Sequence, residues 1–160
     1  MHSHPSAQPL SSPPPAPIPG PVAWLGYGGL LPFVALAAVG LWAPSTPWWS
    51  AALLAYGAVI LSFVGALHWG FAMALSGLST AERTRCFVWS VVPSLMAWPA
   101  TLLPPAGGAA LLVAGFVAHL VQDHRLAART SLPAWYLPLR WRLTTTACVC
   151  LAVGAMAASR

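Results

Sequence analysis

Apolar residues run along this chain in long blocks, and the charged ones arrive late and bunched. The first is Glu82, followed by Arg83, Arg85, Asp123, Arg125, Arg129, Arg140, Arg142 and Arg160. Five uncharged stretches stand out, at residues 22–42, 49–75, 87–103, 107–121 and 144–158. As helices the first reaches about 31 Å and the second about 40 Å, against about 30 Å of hydrocarbon in a bilayer. The third carries Pro93 and Pro99 and reaches about 25 Å. The last two reach about 22 Å each and are expected to extend into their flanks. The pattern predicts an all-α transmembrane bundle of five spans. Merging 87–121 into one feature gives a four-span alternative. Pro104-Pro105 followed by Gly107-Gly108 favours a turn between antiparallel helices instead, because proline removes a donor and glycine frees the backbone.

The loops then set an orientation. Residues 76–86 carry Arg83 and Arg85, and residues 122–143 carry Arg125, Arg129, Arg140 and Arg142. Residues 43–48 and 104–106 carry no arginine. Alternate connections are basic and neutral, so the N-terminus is expected on the cytoplasmic side and the C-terminus outside, with Arg160 the one dissenter.

Composition supports the membrane reading. Charged residues are 6% of the chain, hydrophobic ones 58%, and the mean hydropathy is +0.72. A soluble domain carries about 25% charged residues. The net charge of +5 comes from a few arginines beside two acids rather than from a basic face, which argues against nucleic-acid binding. Residues 1–21 are rich in proline and read as a disordered or polyproline-type tail, with His2 and His4 solvated in it. They lack the basic start of a secretory signal and the arginine-rich pattern of a transit peptide. With no lysine and a bias to Ala, Pro, Gly and Arg, a bacterial cytoplasmic (inner) membrane is the expected location.

Polar groups inside apolar spans single out candidate sites, since hydrocarbon penalises them. In the second span, Gly57, Leu61, Gly65, His68 and Ala72 share a helical face, which points His68 toward protein. It is either a hydrogen bond between helices or a ligand-binding or proton-handling group, and Tyr56 and Ser62 accompany it. His119 has Asp123 at i+4, and without Pro or Gly between Val121 and Pro133 that helix is expected to run to about Arg129. Asp123 then orients or charges His119, with Arg85 or Arg125 as a third member of the group. His68 and His119 could in principle flank a haem, although their depths agree poorly and no attachment motif is present. Trp135, Tyr136, Arg140, Trp141 and Arg142 read as an interfacial, lipid-contacting segment, with aromatic rings at headgroup depth and guanidinium groups on phosphate. Trp42, Trp48 and Trp49 complete a belt at the opposite side. Cys86, Cys148 and Cys150 read as apolar filler, and Ser62, Ser90 and Ser94 as donors to helix carbonyls. Two acids, no phosphate loop and no metal-ligand spacing leave no catalytic residues and no metal site to assign.

Gly29-Leu30-Leu31-Pro32-Phe33, Ser62-Phe63, His68-Trp69-Gly70, Val92-Pro93-Ser94 with Trp98, and Pro133-Ala134-Trp135-Tyr136 through Arg140 carry a resemblance. On these the chain resembles the family of domain of unknown function 3429, small transmembrane protein 69-like multi-pass membrane proteins. The resemblance covers most of residues 26–146 and implies an integral membrane location and a single helical domain, with no activity or catalytic residues to transfer. The leading functional expectation is a non-enzymatic accessory or assembly partner of a membrane complex, meeting lipid and another membrane protein, or itself, through small-residue helix faces. A small-solute or proton transporter using His68 is the alternative, and a haem-bearing electron carrier the second. No cofactor is otherwise expected.

Overall fold

The computed structural model describes residues 17–160 except Pro47, and the regular elements among them are all helical. In order they are α1 (Gly20–Gly28), α2 (Leu31–Trp42), α3 (Trp48–Ala74), α4 (Thr80–Ala100), α5 (Pro105–Ala127) and α6 (Tyr136–Ala158). Most of the proline-rich tail expected over residues 1–21, with His2 and His4, lies outside the described residues. Gly20 and Pro21, assigned to that tail, open α1.

Four helical stretches are long and apolar enough to cross a bilayer: Gly20–Trp42, which is α1 with α2, then Trp48–Ala74, Pro105–Ala127 and Tyr136–Ala158. The chain is thus a polytopic helical membrane protein. The third stretch expected to span, 87–103, does not reach that standard. Its helix starts earlier, at Thr80, and so takes in Glu82, Arg83 and Arg85, and it stops at Ala100. As expected, the last two spans lengthen into their flanks, and α5 carries past Asp123 to Ala127.

The first span is broken rather than continuous. Pro32 cannot donate to the carbonyl four residues back, and the regular helix is interrupted at Gly29-Leu30. Tyr56 Oη donates to the Gly29 carbonyl at 2.8 Å, so this tyrosine caps the break. At the other end of α3, Arg83 donates to the carbonyls of Ala72 and Leu75, closing the helix terminus from the next helix. Ser79 and Glu82 form a capping box at the start of α4.

Glycines set the helix spacing. A Cβ on Gly65 would sit 2.8 Å from the Pro93 ring, one on Gly57 2.9 Å from Leu112, and one on Gly40 2.7 Å from Trp49. At Gly108 it would strike the Ala100 carbonyl, and at Gly154 the Leu53 side chain. Gly107 and Gly108 thus lie inside α5 rather than in the turn, which covers residues 101–104, and Gly108 serves packing there. The small-residue faces are used within the chain, where they let backbones approach closely. The core these helices enclose includes Phe33, Trp49, Leu61, Leu112 and Leu151, all essentially inaccessible.

Candidate functional site: a caged carboxylate between four helices

One carboxylate gathers the polar residues of the bundle. Asp123 is fully buried on α5. Arg140 Nε, from α6, donates to its Oδ2 at 2.7 Å. Tyr136 Oη, one turn earlier on α6, donates to Oδ1 at 3.0 Å. His68 Nε2, from α3, meets the same Oδ1 at 3.1 Å. His119, one turn back on α5, brings its Nε2 to 3.6 Å from Oδ1. The two imidazoles touch edge to face, with ring centroids 4.9 Å apart.

The fourth helix enters through Trp89. Its indole Nε1 donates to His119 Nδ1 at 3.0 Å. An indole only donates, so Nδ1 is the acceptor and the neutral ring carries its proton on Nε2, facing Asp123. That Nε2 makes no hydrogen bond among the described residues, although the Val64 backbone also lies beside the ring. A second Trp–His pair sits nearer the surface. Trp141 Nε1 donates to His124 Nε2 at 3.0 Å, which leaves the Nδ1 proton for the Leu120 carbonyl at 2.9 Å. There both ring nitrogens are satisfied.

This tautomer decides what the site can hold. The nitrogen and oxygen ligand atoms of His68, His119 and Asp123 lie within 4.8 Å of one another, near enough to suggest a metal. A metal needs the lone pair of each imidazole, whereas the Trp89 bond places a proton where His119 would ligate. Arg140 adds a fixed positive charge against the same carboxylate. The set is a cage of donors around an anion and does not suit a cation. Haem fits no better, because a macrocycle between two axial histidines requires the rings to stand apart, and in this cluster they are in contact.

A cleft of about 30 Å³ leads from His68 to the arginine-rich end, walled by Glu82, Arg85, Trp89, Arg125 and Arg129. It has room for about one or two waters. Arg129 Nη1 and Glu82 Oε1 face each other across the protein surface at 3.7 Å.

The expected site residues therefore divide. His68, His119 and Asp123 come together, and at one depth, because α5 is longer than its uncharged core. Tyr56 serves the α1–α2 break, and Ser62 lies half-buried on α3 outside the cage. Of the segment read as interfacial, Trp141 and Arg142 are exposed and Trp135 half-buried, but Tyr136 and Arg140 turn inward. That corrects their assignment to lipid: α6 begins at Tyr136, so residues 136, 140 and 144 fall on one helical face, the one toward α5. The partner of Asp123 is accordingly Arg140, not Arg85 or Arg125. Ser90 Oγ donates to the Phe87 carbonyl at 2.7 Å, as expected. Trp89 is a functional neighbour that the sequence does not signal. An indole within an apolar stretch looks like any other span residue, and its partner His119 lies 30 residues away on another helix.

A broken first span, four further helices and a buried ionic centre define a multi-pass α-helical membrane protein. Residues 18–156 match the family model described as protein of unknown function (DUF3429), and the chain belongs to that family. It is also 35% identical, over 135 residues, to a protein of Xenopus tropicalis called Transmembrane protein 69. That alignment covers 81% of this chain and 51% of the relative, so the chain spans about half the relative's length. No solved structure matches the chain.

Proposed function

We propose that this is a non-enzymatic, proton-responsive accessory protein of a bacterial cytoplasmic membrane, with its N-terminus inside and five spans. The observation that carries the reading is His68, which touches the caged carboxylate and also lines the cleft to the arginine-rich end. Ionisable groups inside a bilayer are costly, and a protein that keeps several in contact has a use for them. Both carboxylate oxygens are already engaged by donors, so Asp123 is poorly placed as a general base, which favours a non-enzymatic role.

Proton uptake has a defined consequence at this site. Neutral His68 donates one hydrogen bond to Asp123, and imidazolium brings a full charge to it. The carboxylate is then shared between His68 and Arg140, which links α3 and α6 through α5. The groups facing His68 are Asp123 and His119 from α5, Tyr136 and Arg140 from α6, and across the cleft Glu82 and Arg85 from α4 with Arg125 and Arg129 from the α5 end. Beyond the cage the packed core of Phe33, Leu61, Leu112 and Leu151 favours one-sided binding over conduction.

Five spans are supported by α4. Its first turn holds the end of α3 through Arg83, and its last residue, Ala100, lies against Gly108 at the start of α5. It therefore runs the length of the bundle and returns the chain to the opposite end. Its charges all lie in the first turns, where an interface would take them. The alternation of arginine-rich and arginine-free loops supports the orientation, and lysine-free composition supports the bacterial location.

The test is a pH jump applied to each face of oriented proteoliposomes, read by tryptophan fluorescence, with histidine NMR on the same protein. The expected result is a response from the arginine-rich face alone, absent in His68→Gln. Sustained proton flux across the membrane, lost in His68→Ala, would replace this reading with the conductor. A fluorescence response that His68→Gln leaves unchanged would remove both.

A further inference from the structure

On the far side of Arg140 from the carboxylate lies a second cavity, of about 100 Å³. It sits where the α1–α2 break leaves a gap against α3, α5 and α6, and its walls are apolar, chiefly Phe33, Ile60, Phe116 and Leu143. Arg140 and Thr144 also line it, and each carries a buried polar atom, Arg140 Nη2 and Thr144 Oγ1. Both are buried and neither has a hydrogen-bond partner among the described residues. Their side chains belong to residues only 5% and 4% exposed.

The Thr144 hydroxyl is conspicuous for what it does not do. Helical threonines often bond the carbonyl four residues back, as Thr146 does with Arg142 at 2.9 Å and Thr84 with Thr80 at 3.0 Å. Thr144 leaves that bond unmade and stands one turn below Arg140 on the same face. An unpaired donor away from water is costly, more so in a bilayer where no water replaces the missing partner. Two such donors converging on one apolar cavity define a place for an oxygen acceptor carried on an apolar body.

Charge and depth narrow the ligand. Arg140 is already neutralised by Asp123, so its remaining N–H suits an uncharged acceptor better than a second carboxylate. The mouth of the cavity is lined by Leu25 and Phe63, 79% and 64% exposed, and opens sideways where lipid lies. Above it, the exposed Arg142 donates to Tyr27 Oη at 3.1 Å, beside the exposed Trp141. These mark headgroup depth, and Thr144 lies two to three residues deeper along α6, roughly 3–5 Å. That is the order in which a phospholipid presents its phosphate, its ester carbonyls and its chains.

We propose that this cavity binds one diacyl phospholipid, a glycerol-ester carbonyl accepting from Arg140 Nη2 and Thr144 Oγ1 and its acyl chain leaving past Leu25 and Phe63. The site shares Arg140 with the cage but does not depend on the role proposed for His68.

The deciding comparison uses the delipidated full-length protein and two probes, diacyl phosphatidylglycerol and its dialkyl ether analogue of equal chain length, scored by native mass spectrometry. The ester lipid is expected to bind more than about ten-fold more tightly, since two hydrogen bonds depend on its carbonyl. Thr144→Val should bring the ratio toward one while leaving the ether lipid's affinity unchanged. Because the probes are compared on unaltered protein, the result stands even if that variant folds poorly. Equal binding of the two lipids overturns the proposal. So does a quinone that co-purifies and displaces the ester lipid, or a structure in lipid nanodiscs with only ordered water in the cavity.

Discussion

The two ends of this bundle hold their helices together by different physics. At the end away from the arginine-rich loops the contacts are a matter of shape: Gly40 receives Trp49, Gly57 receives Leu112, Gly108 receives Leu54 and Gly154 receives Leu53. At the arginine-rich end the helices meet through directed bonds to one carboxylate, from Arg140, Tyr136 and His68, with His119 tied to Trp89. Lipid supplies no hydrophobic drive between helices, so close packing and polar bonds are the two means available. The shaped end is held by glycine contacts and serves as the rigid frame. The bonded end holds the ionisable side chains that are buried between helices.

The sharpest way to break the comparison is to remove the carboxylate. Asp123→Asn leaves the Arg140 charge buried without its counter-ion, and about 3–5 kcal/mol of stability should be lost. Thermal unfolding in a fixed detergent would show it. Combining it with Arg140→Met should restore much of the loss, because replacing both partners of a buried pair is far milder than replacing one. If Asp123→Asn melts like the parent, the cage does not hold the bundle together.

At the shaped end the matching experiment is Gly108→Val. Its Cβ would meet a backbone carbonyl, which cannot rotate away, so α5 must move off α4. A cost of about 1–3 kcal/mol follows from overpacking, with no dependence on pH. Gly70→Ala is the control: nothing lies within 4 Å of a Cβ there, and alanine is the better helix former by about 1 kcal/mol. Equal losses in the two variants would show that glycine contacts do not set the spacing.

The contrast also explains what could be read from the sequence. The shaped end was legible in part, because a small-residue stripe at helical spacing is a local signal, and the His68 stripe is buried along its length. The helical class, the hairpin after α4 and the lengthening of α5 and α6 were legible for the same reason. The cage was only half legible. His119 and Asp123 share a helix and could be paired by spacing, but Arg140 and Trp89 reach the cluster from other helices. Arginine beside tryptophan at a span's edge reads as a lipid anchor, and only the phase of α6 turns Tyr136 and Arg140 inward while leaving Trp141 and Arg142 outside. The break in the first span is not legible as a loop, although Pro32 supplies its chemistry by removing one donor.

Within the cage, Trp89→Phe separates the hydrogen bond from the packing. An aromatic ring is retained and the Nε1 donor to His119 is lost, at about 1 kcal/mol. More informative is the response to zinc. The parent protein should show no zinc-dependent change in melting temperature, because His119 keeps its Nε2 proton. With the indole donor gone the ring is free to present that lone pair toward Asp123, and any zinc stabilisation should appear only in the variant. Stabilisation of the parent by zinc would refute the Nε2–H tautomer of His119.

The smallest effect expected lies at the rim of the arginine-rich end, outside the cage. Glu82 accepts from the Ser79 amide at 3.0 Å and hydroxyl at 2.7 Å, and those hydrogen bonds hold its carboxyl below the ordinary value of 4.5. A lowered carboxyl stabilises the fold above its ordinary range, and that contribution is lost as pH falls through the lowered value. Ser79→Ala should therefore destabilise the fold slightly through the loss of a helix cap, chiefly at neutral pH, with the variant and parent converging in acid. Unfolding measured between neutral pH and acid would show the two curves closing. If they stay parallel, the capping box contributes no pH dependence, and acid sensitivity at this end belongs to the buried cage alone.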